Sequence, residues 1–312
     1  MQGIITKSTG SWYSVLSKNQ VFKCRIKGKF RIKGIKSTNP VTVGDVVDFD
    51  LEENSDFGII HHIHPRKNYI IRKSVNLSKQ THIIASNIDQ VFLFVTLNNP
   101  VTTTGFIDRF LASAEAYKIP VILLFNKVDS YDEEALKIKE KLRGIYHKIG
   151  YKILDVSATE NINIEVVKYQ MIDKVSLFAG HSGVGKSTLA NKLDANLKLK
   201  TKEISQQHQQ GQHTTTFAQM YGLPFGGFLI DTPGIKGFGV VDFEKEEVGD
   251  YFPEFFALKQ YCKFHNCLHV NEPKCAVKEA LENGEIATSR YKSYVQILEG
   301  DQEHYRTDNY DL

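Results

Sequence analysis

The sequence predicts a multi-domain α/β chain in three parts. An OB-type β-barrel comes first, then a domain with a mostly parallel sheet around a phosphate-binding loop, then a small helical module organised by cysteines. Three observations carry this. Five short apolar runs with alternation fall within the first 70 residues. A glycine-rich loop, Gly180–Ser187, follows an apolar run and precedes a helical pattern. Three of the four cysteines, Cys262, Cys267 and Cys275, crowd into 14 residues near the C-terminus. The expected division is 1–70, 71–245 and 246–312.

The 312 residues are 41% hydrophobic and 24% charged, the composition of a globular chain with ample core-forming side chains. No apolar run approaches the length of a membrane span, and Met1–Lys7 has no leader-like apolar region, so a cytoplasmic protein without membrane contact is expected. Net charge is only +3, but residues 1–44 hold nine Lys and Arg and no acid.

In the barrel, strands are expected over Gly3–Thr6, Trp12–Leu16, Val21–Ile26, Val43–Phe49 and Gly58–Ile63. Lys23, Arg25, Lys27, Lys29, Arg31 and Lys33 fall at every second position, which places them on one face of a strand pair. With Trp12, Tyr13 and Phe30 close by, that face suits RNA phosphates and stacked bases; the plainer reading is a solvated strand face. Cys24 is expected to be a buried or half-buried strand residue. Residues 66–80 read as a polar, basic connector.

Strand and helix then alternate, as in a parallel sheet covered on both faces. Gln90–Thr96 and Val121–Phe125 are apolar strands. Ile107, Phe110, Leu111, Ala114 and Tyr117 mark a helix stopped by Pro120. Ala135, Ile138, Leu142, Ile145 and Ile149 recur at helical spacing up to Gly150. Tyr151–Val156 is a further strand.

The stretch Gly180-His181-Ser182-Gly183-Val184-Gly185-Lys186-Ser187 fits G-x-x-x-x-G-K-[ST] and runs on through Thr188 into a helix. Glycines let successive N–H groups aim inward and the helix N-terminus adds positive charge, so the loop cradles a β-phosphate. Lys186, as the catalytic cation, reaches the β and γ oxygens, and Ser187 coordinates Mg²⁺. Asn126-Lys127-Val128-Asp129 fits N-K-x-D at a strand's C-terminal end. The Asp129 carboxylate can accept from guanine N1–H and its exocyclic amine, a donor pair that adenine lacks. Lys127 can lie along the base and Asn126 can tie this loop to the phosphate loop. Ser157-Ala158 follows one strand and helix later. His213-Thr214-Thr215-Thr216 can offer a threonine hydroxyl to Mg²⁺; Thr215 is the candidate, with Thr214 and Thr216 left open. Asp231-Thr232-Pro233-Gly234 is D-x-x-G: Asp231 can hold Mg²⁺ through water, and the Gly234 N–H can meet a γ-phosphate.

Beyond it, Phe252, Phe255, Phe256 and Tyr261 are expected to form a small core. Cys262-x4-Cys267-x-His269-x5-Cys275 supplies three thiolates and an imidazole, a closed tetrahedral set for structural zinc, with His265 as an alternative nitrogen ligand. Residues 276–299 read as helical, and the last dozen as a polar, frayed end.

Taken together, these motifs resemble those of the RsgA family. The order NKVD, SA, GHSGVGKS, HTTT, DTPG is a circular permutation of the usual GTPase order, which begins at the phosphate loop. A basic barrel in front and a cysteine cluster behind complete the likeness, which spans nearly the whole chain. It implies a GTP hydrolase acting in late maturation of the small ribosomal subunit and stimulated by that subunit, working as a monomer. It also favours His269 over His265 as the zinc ligand. The position after D-x-x-G is Ile235, which cannot orient water. The resemblance makes His213 the substitute catalytic group; an RNA-contacting or merely exposed histidine is the other reading of that residue.

A competing reading is a non-catalytic RNA-binding assembly factor with a vestigial nucleotide site. Intact Lys186, Ser187, Asp129 and Asp231 argue against decay. Asp129 likewise argues against an ATP-using P-loop kinase.

Overall fold

The structure, a computed structural model, describes residues 1–26, 40–52, 57–73, 81–199, 218–231 and 243–300. Lys27, Lys29, Phe30, Arg31, Lys33, His213, Thr214–Thr216, Gly234 and Ile235 lie outside the described residues, as does the C-terminal dozen.

Five strands open the chain: β1 (Gln2–Thr9), β2 (Trp12–Ser17), β3 (Gln20–Ile26), β4 (Val46–Leu51) and β5 (Phe57–Ile63). They pair in the order β1-β2-β3-β5-β4, and β4 returns to β1, which closes an OB-type barrel. Alternation decides what lies inside: Ile5, Tyr13, Val15, Cys24, Val47, Phe49 and Ile60 are fully or almost fully buried. Gly58 is required where β5 crosses this core, since a Cβ there would sit 2.7 Å from Cys24 Sγ and 2.8 Å from the Phe49 ring. Tyr13 therefore belongs to the core and not to the basic face, a correction its strand parity explains. Lys23 and Arg25 do lie on the exposed face. Lys23 Nζ stands 4.5 Å from the centre of the Trp12 ring, and Arg25 pairs with Glu52 at 3.0 Å.

The stretch read as a connector contains a strand. β6 (Tyr69–Lys73) pairs antiparallel with β7 (Thr81–Ser86) as a separate two-stranded sheet. The basic flanks obscured a short apolar run whose Ile70 enters the central core. Arg66 anchors this ribbon to the barrel. Its guanidinium makes a bidentate pair with buried Asp45 (2.6 and 2.7 Å), and Asp45 also accepts from Ser86 Oγ at 2.6 Å.

The central domain runs β8 (Gln90–Val95), α1 (Thr104–Ala116), β9 (Val121–Asn126), α2 (Glu133–Ile149), β10 (Lys152–Val156), α3 (Ile164–Met171), β11 (Val175–Ala179), α4 (Lys186–Leu193), β12 (Gln219–Gly222) and β13 (Phe228–Asp231). The sheet order is β10-β9-β8-β11-β13-β12, parallel except for β12. β8 and β9 are buried along their whole length, because helices cover both faces. Ile107, Phe110, Leu142 and Tyr146 pack on one side, and Val167, Met171, Leu189 and Leu193 on the other. Both long helices carry N-caps: Thr103 accepts from the Phe106 N–H and Asp132 from the Ala135 N–H. α2 stops at Gly150, whose φ of 111° favours glycine. Lys7 of β1 pairs with Gln219 of β12, so the barrel extends the sheet.

The C-terminal part holds α5 (Pro253–Leu258), α6 (Ala276–Glu282) and α7 (Thr288–Glu299). The helical stretch 276–299 is thus two helices, interrupted at Gly284, where φ is 72°. Phe252 and Phe255 form the small core with Tyr294. Phe256 and Tyr261 stay 55% and 71% exposed, so only half of the expected aromatic cluster is core. α7 lies on α1, where buried Arg290 reaches Asp108 at 2.8 Å and Glu254 at 2.7 Å, and Asp108 also accepts from Tyr146 OH at 2.8 Å. No helix among the described residues is long and apolar enough to cross a membrane.

Candidate functional site

The phosphate loop leaves the C-terminal end of β11, at the centre of the parallel sheet, and enters α4 at Lys186. Its turn depends on Gly180, Gly183 and Gly185, with φ of 138°, 87° and 98°. At Gly185 there is a second constraint: a Cβ would come 2.3 Å from Asn126 Nδ2. That amide donates to the Val184 carbonyl at 2.7 Å. The strand end carrying N-K-V-D and the phosphate loop are therefore in direct contact, 58 residues apart in sequence. Asn126 Oδ1 is buried without a partner, while the Asn126 carbonyl accepts from Tyr131 OH at 2.8 Å.

Lys186 folds back over its own loop. Its ammonium donates to the carbonyls of Gly180 (2.8 Å) and His181 (2.6 Å). Burial pushes it down to about 8, against the opposing pull of Asp231 at the end of β13. A buried ammonium held only by carbonyls, with a carboxylate near, is arranged to gain from an incoming polyanion. Ser182 and Gly183 are exposed, Ser187 and Thr188 half-buried, and Val184 buried. The His181 ring lies against Phe106 of α1, centroids 3.8 Å apart.

On the base side, Lys127 sits in the left-handed region (φ 62°) and donates to Asn99 O at 2.6 Å. Burial pushes its ammonium down, offset by Asp129. Asp129 is exposed at the mouth of the site, where Thr159 Oγ1 reaches it at 3.4 Å. Ser157 and Ala158 are buried; Ser157 Oγ accepts from the Glu160 N–H at 3.0 Å, which shapes the turn after β10. Thr159, Asn99 and Phe106 had no motif to announce them, since each is defined only by the neighbour it meets.

The second site is the C-terminal cluster. Ligand atoms of Cys262, Cys267, His269 and Cys275 all lie within 4.8 Å of one another. Cys262 Sγ is 3.9 Å from Cys275 Sγ and 3.7 Å from His269 Nδ1, and His269 Nδ1 is 3.3 Å from Cys275 Sγ. Thiolates about 2.3 Å from one tetrahedral ion would stand about 3.8 Å apart. The four residues are thus spaced to hold one metal ion, and His265 is not among them. The turn is built for it. Glu272 accepts from the N–H groups of Leu268, Val270 and Asn271, and Tyr291 and Tyr294 donate to the carbonyls of His269 and Leu268. Burial pushes the Cys267 thiol up to about 12 and the His269 imidazole down. A cation reverses that cost for the thiols by favouring thiolate.

A parallel sheet with a phosphate loop at its central strand, and N-K-x-D on a strand that precedes that loop in the chain, defines a P-loop nucleotide-binding protein of permuted order. Known proteins match it throughout. Residues 2–60 match the RsgA N-terminal domain family and residues 63–241 the RsgA GTPase family. A protein of Flavobacterium johnsoniae named small ribosomal subunit biogenesis GTPase RsgA is 64% identical, over 99% of this chain and 96% of its own. One of the same name from Bacteroides fragilis is 53% identical, over 97% and 98%. Among solved structures, YjeQ from Thermotoga maritima superposes with a TM-score of 0.79 at 36% identity, covering 96% of this chain and 97% of that one. YloQ, described as a circularly permuted GTPase, gives 0.72 at 30%, covering 99% and 96%. The chain belongs to the RsgA GTPase family.

Proposed function

We propose that this protein hydrolyses GTP to GDP and phosphate during biogenesis of the small ribosomal subunit, and that the subunit stimulates the reaction. The observation that carries the reading is the Asn126–Val184 hydrogen bond, which brings the N-K-V-D strand end against the phosphate loop. The name shared by relatives 53–64% identical over nearly the whole chain supports the ribosomal role.

In this reading Asp129 selects guanine, Lys127 lies along the base, and Ser157 and Ala158 form the wall behind it. The loop Gly180–Thr188 wraps the phosphates. Lys186 exchanges its two carbonyl partners for β- and γ-phosphate oxygens, which favours its charged form. Ser187, next to that lysine in the chain, and Asp231, whose charge acts on it, are the residues that would hold Mg²⁺, and Thr215 would join them. Bound there, Mg²⁺ neutralises charge that develops on the phosphate oxygens. Gly234 would meet the γ-phosphate and His213 would serve the attacking water; both are proposals from the family resemblance. The metal at the Cys₃His cluster is zinc, because three thiols and one imidazole at tetrahedral spacing suit it best.

The proposed division of labour follows the three segments 1–70, 71–245 and 246–312. The barrel contacts rRNA through a basic face on which Lys23 and Arg25 are exposed, and the zinc module helps to grip the subunit. The protein would act as a monomer, and its partner would place it in the cytoplasm away from membranes. GTP and ATP turnover, each with and without purified small subunits, tests the proposal. The expected result is slow GTP hydrolysis that accelerates with subunits and negligible ATP hydrolysis. Equal turnover of both nucleotides, or no response to subunits, overturns it.

A further inference from the structure

A second group of metal-ligating side chains lies on the outer wall of the barrel, remote in sequence from both sites above. Asp48 of β4, His62 of β5 and His64, just past the end of β5, bring a carboxylate and two imidazoles within 4.8 Å of one another. The arrangement follows from register. Gln2, Asp48 and His62 sit side by side across β1, β4 and β5, and His64, two residues beyond His62, shares their face. Val47 and Phe49, the chain neighbours of Asp48, point the other way, into the barrel core.

The strand is also irregular here. The pairing of β4 with β5 shifts between Asp48 and Phe49: Asp48 faces His62, but Phe49 faces Ile60. His61 is the extra residue of this bulge. It turns outward beside His62 and pairs with Asp50 at 3.3 Å. Bulges re-aim side chains, and this one adds a third outward imidazole next to the first two. His64 Nε2 lies 3.0 Å from Asp48 Oδ2 and 3.2 Å from Gln2 Nε2, and the His62 and His64 rings meet edge to face with centroids 4.9 Å apart. Oxygen and nitrogen ligands about 2.0–2.2 Å from one tetrahedral ion stand about 3.3–3.6 Å apart, so Asp48 and His64 need part by only a few tenths of an ångström for an ion to bridge them.

We propose that Asp48, His62 and His64 bind a divalent transition ion, Zn²⁺ or Ni²⁺ in class, separately from the cysteine module. Two imidazoles and one carboxylate select such borderline ions over Mg²⁺ or Ca²⁺, which prefer oxygen. Three protein ligands leave a coordination position open to water or an outside donor, unlike the closed Cys₃His set. The ion would cross-link β4 to β5 beside the seam where β4 returns to β1.

The test counts metal on the full chain. Zn²⁺ is titrated into the purified protein and into His62→Gln, His64→Gln and Asp48→Asn, with free ion fixed by a chromophoric chelator and folding checked by circular dichroism. Whatever the cysteine module holds is common to all four proteins. The expected result is one equivalent more in the unaltered chain than in either histidine variant, with Asp48→Asn binding that equivalent at least about tenfold more weakly. Ni²⁺ titration should show the same difference. Equal stoichiometry in the unaltered chain and both folded histidine variants, for both ions, overturns the proposal.

Discussion

In the proposed function the phosphate loop and the cysteine cluster each hold a small charged partner, by opposite means. The loop uses backbone: three glycines at positive φ, a helix N-terminus, and one lysine that satisfies itself on the Gly180 and His181 carbonyls. It rests on β11 and α4, whose packing residues Leu177, Phe178, Leu189 and Leu193 are buried without any ligand. The cluster uses side chains, and its ligands Cys275 and His269 are themselves buried. The cluster is joined to the core that α5, α6 and α7 share around Phe252, Phe255 and Tyr294: Cys275 is a buried member of it, and Cys262 and Cys267 pack against it. In that reading the nucleotide would visit a finished fold, whereas the metal would be part of the fold that holds it.

The largest effect should therefore come from removing the metal. Structural zinc contributes about 10–16 kcal/mol of apparent binding free energy, comparable with a whole domain's stability. Cys267→Ser, or strong chelation, should unfold residues 243–300 and leave GDP affinity within a few-fold of normal, measured by circular dichroism alongside nucleotide titration. Loss of GDP binding in step with the helical signal would break the contrast.

Next comes the joint between the two regions. Arg290 is buried and serves both Asp108 of α1 and Glu254 of α5, with Phe252 beneath its guanidinium. Arg290→Met leaves two carboxylates facing each other without a cation, a loss of about 3–5 kcal/mol. Denaturant melts should show the C-terminal module separating from the central domain as an earlier transition. A single unshifted transition would mean that the two cores do not depend on this pair.

Asp129→Asn should be milder and confined to ligand choice. Replacing a carboxylate that accepts two hydrogen bonds from guanine costs about 3 kcal/mol, roughly 100-fold in affinity, with xanthine nucleotides gaining because a carbonyl replaces the amine donor. Thermal stability should not move, since Asp129 is exposed. An unchanged ratio of GTP to ATP affinity in this variant would remove Asp129 from the base site.

The smallest effect is a pH dependence. Lys186 is pushed down to about 8 by burial, and a neighbouring polyphosphate favours its charged form. Binding therefore takes up a proton above that value: affinity is fully present below pH 8 and falls as pH rises through it, by up to about tenfold at pH 9. A flat affinity from pH 7 to 9 would show the ammonium is charged throughout.

Much of this was legible in the sequence because it lies in local pattern. The Gly150 stop of α2, the barrel strands and the spacing of Cys262, Cys267, His269 and Cys275 are all set by periodicity or fixed intervals. What escaped was set by neighbours distant in the chain. Tyr13 looked like part of a basic face, but strand parity sends it inward beside Cys24 and Val15. β6 was hidden by its charged flanks and exists because β7 pairs with it. Phe256 and Tyr261 match Phe255 in composition, yet only Phe255 faces α7. The Arg290–Asp108 pair spans 182 residues and has no sequence signal at all.

Hydrogen exchange on the full chain, compared with metal stripped and with nucleotide removed, tests the contrast most directly. Stripping the metal should abolish protection in α5, α6 and α7 while β8, β9 and β11 stay protected. Removing GDP should loosen only the loop 180–188 and the turn 126–130. If metal removal also deprotects β11 and α4, or if nucleotide removal unprotects α7, the two regions fold as one unit and the contrast fails.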